Sequence, residues 1–346
     1  MKALKYVFLL LLLVVVAGSI YIATLENSYS VERTKVIDAP VEVVFNVVNE
    51  YKTWSSWSPW LGKDPEAKLT YGDKTSGVGA SYAWKGDVTG EGSMETLSVQ
   101  QDSISQKITF ITPWESTSNV YWKFRKVDKG TSVTWSMKGD LDFMSKAYMA
   151  FSGGMDEQIG PDYELGLVKL DSIVNAVMQK YSVTINGVTT HGGGYYLYQT
   201  TSCKTEEVLR TMERMLPKIA TYAKNKNITL TGPPFILYHK YDRENNAVIM
   251  SVAIPVMEKV ITDKDSDILT GMLKPFTAIK TTLKGDYKNL KEAWEATEKH
   301  ITTNNLEKLE VLPAMEVYIN STAGIPNPAD LRTEIFVPIK EVPEVE

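Results

Sequence analysis

An uncharged run lies near the N-terminus, and two regions of different hydrophobic periodicity follow it. Residues 6–25 are twenty consecutive positions without a charged side chain, and about 20 apolar residues suffice for a helix to cross the hydrocarbon core of a membrane. Lys2 and Lys5 precede the run, and no Lys or Arg follows until Arg33, which by the positive-inside rule predicts a cytoplasmic N-terminus. We therefore predict a membrane anchor over residues 1–30. The protein would be single-pass in the cell membrane, with its soluble domains extracytoplasmic, in the periplasm if the bacterium is Gram-negative.

A cleaved signal peptide is the alternative for this run. The basic start and the Leu/Val core fit a signal peptide, and Ala17 and Ser19 are small enough to flank a cleavage site. The apolar run continues through residues 20–23, which a signal peptide does not need. An uncleaved anchor is favoured, and cleavage stays open.

Residues 31–180 show the pattern of an antiparallel sheet followed by a long helix. Val31–Ile37 has strand character, and residues 41–48 predict a short amphipathic helix with Asp38 as its N-cap. An apolar stripe from Ile159 to Val177 predicts the long helix. Alternating apolar and polar positions predict further strands at 79–85, 90–100, 103–112, 120–124 and 133–137.

Four motifs in this region carry a family resemblance, namely Asp38–Phe45, Trp54, Trp57–Trp60 and Tyr163–Leu170. The region resembles the START-like, or SRPBCC, polyketide-cyclase superfamily. The resemblance implies a helix-grip fold, in which a curved sheet and one long helix enclose a cavity for hydrophobic ligands. Only some members are enzymes, so the resemblance predicts a fold and no particular reaction.

Two features of this domain bear on a cavity. Trp84, Trp122 and Trp135, together with Trp114, are candidates to line it, and ordinary core packing is the alternative. Residues 143–151 place large apolar side chains around one Lys. That segment is interpreted as a lid over the cavity, as a patch that touches lipid, or as a packed turn.

Residues 181–346 contain an internal repeat. Gly232–Tyr238 is echoed by Leu312–Tyr318, 80 positions later, and Ala253–Val256 is echoed by Phe336–Ile339, 83 positions later. Each half has the pattern strand, helix, strand, strand. The two helices are predicted at 204–226 and 287–304. Two such modules predict a duplicated domain with a pocket between its halves.

One difference between the two repeats is informative. Glu316 occupies the position that Ile236 fills in the first repeat. A buried carboxylate is costly unless something pairs with it. A cationic or polar ligand would be such a partner.

This second region resembles the GyrI-like, or AraC-type effector-binding, small-molecule-binding superfamily. The motifs are Gly232–Tyr238, Ala253–Val256, Lys284–Tyr287 with Trp294, Met315–Tyr318 and Thr333–Ile339. The resemblance implies binding of diverse amphipathic or cationic molecules around a central acid and aromatic side chains. The ligand-binding candidates are Glu316, Tyr318, Tyr287, Trp294 and Tyr238.

Composition excludes several other classes. The net charge of −5 comes without a long Lys/Arg block, which argues against a nucleic-acid partner. In the related family a DNA-binding region often precedes this domain, and here the anchor and the START-like domain stand in its place. Cys203 is the only cysteine, so no internal disulfide forms. The three histidines lack metal-ligand spacing, and neither a metal nor a cofactor is expected.

The sequence thus predicts an α+β protein with three parts: the anchor (1–30), the START-like domain (31–180) and the duplicated GyrI-like domain (181–346). The favoured function is a membrane-tethered protein that binds hydrophobic or cationic small molecules. One alternative is a hydrolase or cyclase for lipophilic molecules, with Glu316 and a hydroxyl of Tyr287 or Tyr318 as acid–base groups. The other is an interaction protein whose own side chains fill both pockets.

Overall fold

The computed structural model describes residues 2–112 and 115–340. The chain divides into two compact units, Met1–Val177 and Met178–Glu346. Each unit combines helices with an antiparallel sheet, which confirms the predicted α+β class.

Unit 1 contains six helices and seven strands among the described residues. The helices are α1 Lys2–Thr24, α2 Val41–Asn49, α3 Tyr51–Trp57, α4 Pro59–Lys63, α5 Phe143–Ser152 and α6 Gly154–Met178. The strands are β1 Ser28–Ile37, β2 Lys68–Tyr71, β3 Ser81–Gly86, β4 Gly90–Val99, β5 Ser103–Thr112, β6 Ser116–Val127 and β7 Gly130–Asp140.

Helix α1 is the predicted apolar segment. Its residues Leu4–Thr24 have a mean hydropathy of 2.7 and almost no burial against the rest of the protein. Twenty-one helical residues are about 32 Å long, which matches a hydrocarbon core of roughly 30 Å. A signal sequence has the same length and composition, so both interpretations of α1 remain open.

The sheet of unit 1 has the strand order β1-β7-β6-β5-β4-β3-β2, and every pairing is antiparallel. Helix α6 packs on its inner face, where the ring of Tyr163 stacks on that of Trp135 with centroids 3.9 Å apart. Helix α3 adds Trp54 and Trp57, three positions apart and both fully buried. The tryptophan-rich motif therefore builds the core between the helices and the sheet.

The predicted N-cap of the first short helix is wrong. Pro40 occupies the N-cap position of α2, with φ −58° and ψ 146°, and no side chain caps the helix. A proline there has its φ already set to a helix-compatible value, so α2 begins at Val41, one residue after Pro40 and three residues after Asp38.

Unit 2 has eight strands and two α-helices among the described residues. The first half contains β8 Ser182–His191, β9 Gly194–Lys204, α7 Val208–Asn225, β10 Phe235–Asp242 and β11 Ala247–Val256. The second half contains β12 Leu269–Leu273, β13 Phe276–Lys284, α8 Leu290–Thr303, β14 Ala314–Tyr318 and β15 Arg332–Pro338. A short 3₁₀ turn leads into each helix.

The sheet of unit 2 has the order β12-β9-β11-β10-β14-β15-β13-β8, with the two halves meeting where β10 pairs with β14. At that junction Ile236 lies directly opposite Glu316. An 80-residue offset relates these same two positions, so a local two-fold axis that exchanged the halves would pass between them. The element order and this register are those that a duplication expects, and the duplication itself stays a prediction.

The alternation of β10 and β14 assigns their side chains to two different cores. Ile236 and Tyr318 belong to the core that α7 covers, with Met212, Met215 and Ile219 of that helix. Phe235, Leu237, Met315 and Val317 belong to a second core. Since side chains alternate along a strand, Glu316 points to the same face as Tyr318, toward the helices.

Candidate functional site

Glu316 lies in the middle of the central strand β14, between two buried neighbours. Its residue exposure is 2%, and its strand is paired on both sides, with β10 and with β15. The strand is rich in apolar residues and reads as an ordinary buried strand apart from this one acid. The fold therefore removes a carboxyl group from water.

Three neutral donors satisfy the two carboxylate oxygens of Glu316. The hydroxyls of Tyr318 and Tyr238 donate to Oε2 at 2.6 and 2.8 Å, and the indole Nε1–H of Trp294 donates to Oε1. Tyr318 sits two positions along β14, Tyr238 lies on the neighbouring strand β10, and Trp294 comes from α8. The structure thus brings together four of the five predicted ligand-binding residues.

Burial and these contacts act in opposite directions on the pKa of Glu316. Desolvation raises this pKa above its ordinary value of 4.5, and the hydrogen bonds from Tyr318, Trp294 and Tyr238 partly offset the rise. Burial, with the adjacent acid, raises the pKa values of both Tyr238 and Tyr318 well above 10. The two tyrosines therefore stay protonated and act as donors.

The aromatic rings of the site form two edge-to-face pairs. Tyr238 and Trp294 meet with centroids 5.7 Å apart at an interplanar angle of 89°, and Tyr287 and Tyr318 meet at 5.3 Å and 84°. Tyr238, Trp294 and Tyr287 are only partly buried, whereas Tyr318 is fully buried. A molecule arriving from solvent would meet the first three before it reached Tyr318 or the carboxylate.

Tyr287 belongs to the aromatic cluster but does not donate to the acid. Its hydroxyl donates to the backbone carbonyl of Asn320 at 3.1 Å. Of the two tyrosines considered as acid–base partners of Glu316, only Tyr318 makes a hydrogen bond to it. Tyr238 makes the other tyrosine contact.

The tryptophans predicted to line the cavity of unit 1 are buried in its core. Trp122 and Trp135 stack with centroids 4.4 Å apart, and both meet Trp54 and Trp57 edge to face. Trp84 is also buried and packs against Tyr82 and Phe110. Trp114 lies outside the described residues.

Polar groups interrupt this aromatic core, and the sequence analysis missed them. Gln106 is fully buried and accepts a hydrogen bond from the Trp122 indole at 3.0 Å. The hydroxyls of Tyr51 and Thr96 are 2.8 Å apart. The signal was present in β5, where Gln106 holds the inward position between Ile104 and Ile108 in an alternating strand.

Two buried nitrogen atoms in this core are left without a normal hydrogen bond among the described residues. They are Trp135 Nε1 and Gln106 Nε2. Burial raises the pKa of the Tyr51 hydroxyl, and an interaction with Gln106 lowers that pKa by less. Buried donors are normally paired, so these two N–H groups could donate to a hydrogen-bond acceptor placed in this core.

Two surface concavities lie on unit 1, and neither is lined by the predicted site residues. One, of about 460 Å³, lies between α2 and the β6 strand, against Phe45 and Phe124. The other, of about 280 Å³, lies over Tyr121 and Ser136 on the outer face of the sheet. No group of three or more His, Cys, Asp or Glu suited to a metal ion occurs within the described part of the chain.

Comparison with known families now assigns both regions. The family model described as polyketide cyclase / dehydrase and lipid transport matches residues 37–162. The model of the GyrI-like small molecule binding domain matches residues 195–340. The chain carries both domains. This confirms the two-domain architecture that the motifs predicted, and both families indicate small-molecule binding.

Solved structures resemble parts of the chain at low identity. The C-terminal domain of EcmrR is 18% identical, with 47% of this chain and 99% of that chain covered and a TM-score of 0.40. Protein CV1439 from Chromobacterium violaceum is 13% identical over 42% and 96%, with a TM-score of 0.33. The di-domain ARO/CYC StfQ from the steffimycin biosynthetic pathway is 10% identical over 43% and 52%, at 0.34. No match was found among curated proteins.

These likenesses decide neither the ligand nor the partner. EcmrR has also been solved in a complex with DNA, and the expected absence of a nucleic-acid partner for the present chain stays a prediction. The GyrI-like family indicates a small-molecule site within residues 195–340, and Glu316, a buried carboxylate that forms no ion pair among the described residues, lies in that range.

Proposed function

We propose that the chain is a membrane-tethered binding protein for cationic amphipathic small molecules, with Glu316 of the GyrI-like domain as the acid that selects them. One observation carries the proposal. Glu316 is buried and receives three hydrogen bonds, all from neutral groups, and no Lys, Arg or His side chain among the described residues forms an ion pair with it.

The physical argument concerns the charge of the carboxylate. Neutral donors stabilise an anion in a buried site but leave its charge uncompensated. Ion pairs in the same sheet show the contrast, since the buried carboxylate of Glu334 is paired with Lys280 at 2.8 Å and with Arg332 at 2.7 Å. A ligand cation would give Glu316 the positive counter-charge that Lys280 and Arg332 give to Glu334.

The aromatic walls suit the same ligand. The faces of Trp and Tyr attract a cation within about 6 Å, and their apolar area contributes to the binding of the hydrophobic part of an amphipathic molecule. Trp294 and Tyr238 are partly exposed and also donate to the carboxylate. We infer that the ligand enters beside them and displaces the Trp294 indole from Oε1, which has that single donor.

For the polyketide cyclase-type domain we propose an apolar ligand that carries one hydrogen-bond acceptor. Trp135 Nε1 is a buried donor without a partner among the described residues, and the surrounding tryptophans form an apolar wall. These side chains fill the core of the free protein, so binding would require them to move. We propose residues 31–180 and 181–346 as the limits of the two domains.

Calorimetric titration of the detergent-solubilised full chain tests the cation proposal. Tetraphenylphosphonium is the cationic probe, and triphenylphosphine oxide is its neutral counterpart. We expect wild type to prefer the cation and Glu316→Gln to lose that preference. Glu334→Gln is the matched control, because it also neutralises a buried carboxylate on the adjacent strand yet should keep the preference. Equal affinity for both probes in wild type would overturn the proposal.

A hydrolase is the second candidate, because Glu316 is desolvated and lies within hydrogen-bond reach of two tyrosine hydroxyls. A carboxyl group with a raised pKa suits general acid–base work. The geometry favours Tyr318 or Tyr238 over Tyr287 as its partner. Turnover of an activated ester or epoxide that disappears in Tyr318→Phe, with binding retained, would support it.

A further inference from the structure

Helix α5 has its apolar and polar sides reversed relative to a helix that faces water. Its single charged residue, Lys146, is buried at 5% exposure. Its outer side carries Phe143, Met144 and Phe151, with exposures of 47%, 72% and 89%. Lys is among the residues least often buried, and clustered exposed apolar side chains mark a surface for a lipid or another partner. The outer side of α5 is therefore built for a non-aqueous surrounding.

The spacing of the exposed residues gives this side a continuous apolar stripe. Met144 and Phe151 are seven positions apart, two helical turns, and so lie on one face of the helix. Tyr148 lies on the same face between them and is half-exposed. Aromatic residues such as Phe and Tyr are suited to the boundary between acyl chains and headgroups.

The position of α5 in the fold decides what covers it. The backbone N–H of Leu141 donates to the carbonyl of Asn27 at 2.7 Å, and Ser28 pairs with Asp140 in the sheet. Asn27 comes three residues after the end of α1, and Leu141 two residues before the start of α5. Three extended residues span roughly 10 Å and two span roughly 7 Å, so this hydrogen bond holds the start of α5 near the end of α1.

Helix α5 also contacts α1 directly. Within residues 4–24, the partly buried positions are Gly18 and Ile22, in the last two turns of α1, and the others are exposed. The contact thus lies at the end of α1 that leads into the soluble part, not at its middle. If α1 spans the bilayer, α5 lies at the level where the chain leaves it.

We propose that α5 lies in the bilayer interface next to the exit point of α1, with the stripe of Met144 and Phe151 in contact with lipid. The proposal rests on the membrane tethering put forward above and deepens it. A spanning helix alone lets the soluble domains swivel, whereas a second contact beside it fixes which side of unit 1 faces the membrane.

Charge around α5 sets the kind of lipid contact. The residues next to it are acidic, namely Asp140 and Asp142 before the helix and Asp156 and Glu157 after it, and Lys146 is the only basic residue from 140 to 157. An interfacial helix usually adds Lys or Arg that attract anionic lipid. Here apolar contact supplies the attraction, and tethering by α1 keeps the local concentration of α5 high, so anionic lipid should not be required.

The test uses the full chain in vesicles and a fluorophore on single cysteines. In a Cys203→Ser background, an NBD label is placed at Phe151→Cys, at Leu13→Cys in the middle of α1, and at Val88→Cys, an exposed apolar residue of the β3–β4 turn. Vesicles of phosphatidylcholine, with and without phosphatidylglycerol, contain lipid-attached nitroxide at a shallow or a deep acyl position. These substitutions remove exposed side chains, and thermal unfolding of each labelled chain checks its fold.

We expect shallow nitroxide to quench the label at position 151 roughly twofold or more over that at 88, since an interfacial helix is buried by about 5–10 Å. The result should be the same without phosphatidylglycerol. Deep nitroxide should quench position 13. If 13 is quenched and 151 behaves like 88, the α5 proposal is wrong and the anchor stands. If 13 is not quenched, the anchor fails, and quenching at 151 would then show that α5 holds the membrane by itself.

Discussion

The affinity of the GyrI-like domain for a cation should rise with pH, because only the ionised form of Glu316 attracts it. Burial raises the pKa of Glu316 above 4.5, so the folded protein holds the proton in a pH range where an exposed carboxyl has lost it. Within that range each pH unit should increase the affinity for tetraphenylphosphonium up to about tenfold. Above the folded-state pKa the affinity should stop changing.

The size of the effect follows from the partners of the Glu316 carboxylate. No cation among the residues described by the structure pairs with Glu316, so the proposed ligand would be its counter-charge. Removing one partner of a buried charge pair costs about 2–5 kcal/mol. Glu316→Gln should therefore lower the affinity for the cation by roughly 30-fold or more on the high-pH plateau. The variant should also show no pH dependence through this range.

Two tyrosine variants separate the acid from its surroundings. Tyr318 is the donor that lowers the pKa of Glu316 most, so Tyr318→Phe should move the inflection to higher pH. Tyr287→Phe is the matched control, since that hydroxyl donates to a backbone carbonyl instead, and its inflection should stay in place. Calorimetric titration of the full chain from pH 4.5 upward gives these curves. A wild-type affinity independent of pH, or a slope shared by Glu316→Gln, would refute the reasoning.

Three further predictions concern unit 1, with chemical denaturation as the measurement. Tyr51→Phe and Thr96→Val should each lower the free energy of unfolding by about 1–3 kcal/mol, because each leaves the partner's buried hydroxyl unpaired. The double variant should lose less than the sum of the two single losses. Strict additivity would count against a shared hydrogen bond. Gly130→Ala should destabilise the protein far more than Gly77→Ala, although both glycines have positive φ. A Cβ at position 130 would lie 2.1 Å from a carbonyl oxygen of β1, whereas a Cβ at position 77 has no heavy atom within 4 Å. Equal losses of stability would refute this. Asp64→Asn should destabilise the domain at neutral pH, and progressively less as pH falls below 3.8. The reason is that backbone N–H groups of the β3–β4 turn donate to Asp64 and lower its pKa. A loss of stability that persists in acid would contradict this prediction.

The hydrophobic pattern predicted most helices and strands, because the buried residues of these elements follow the period of a helix or a strand. The alternation of Val120, Trp122 and Phe124 matches their burial in β6, and the stripe ending at Val174 and Val177 lies on α6. The predicted helices at 204–226 and 287–304 were each too long at their start, since a 3₁₀ turn occupies the first residues. Boundaries of this kind depend on hydrogen bonds that a hydrophobic pattern does not report.

Long-range contacts were beyond the sequence. The repeat pointed to Glu316, but only the pairing of β10 with β14 shows that Tyr238 reaches it. The sequence allows three interpretations of segment 143–151, because nothing local shows that the chain near Asn27 meets Leu141. The sequence predicts core or cavity positions for the aromatic residues of unit 1, and only their mutual stacking distances show that they pack on one another.

The pairing of Ile236 with Glu316 would also limit the valence of the proposed cationic ligand. Directly opposite residues on antiparallel strands have Cβ atoms about 5 Å apart, so a second glutamate in place of Ile236 would create a carboxylate couple that shares protons in two steps. Such a couple would favour a doubly charged guest. With a hydrocarbon side chain at one of the two positions, the site can carry at most one negative charge, and under the proposed function it would suit a monocation. Under the same proposal an elongated ligand would have one preferred direction, with its charged end toward β14 and its apolar end toward β10.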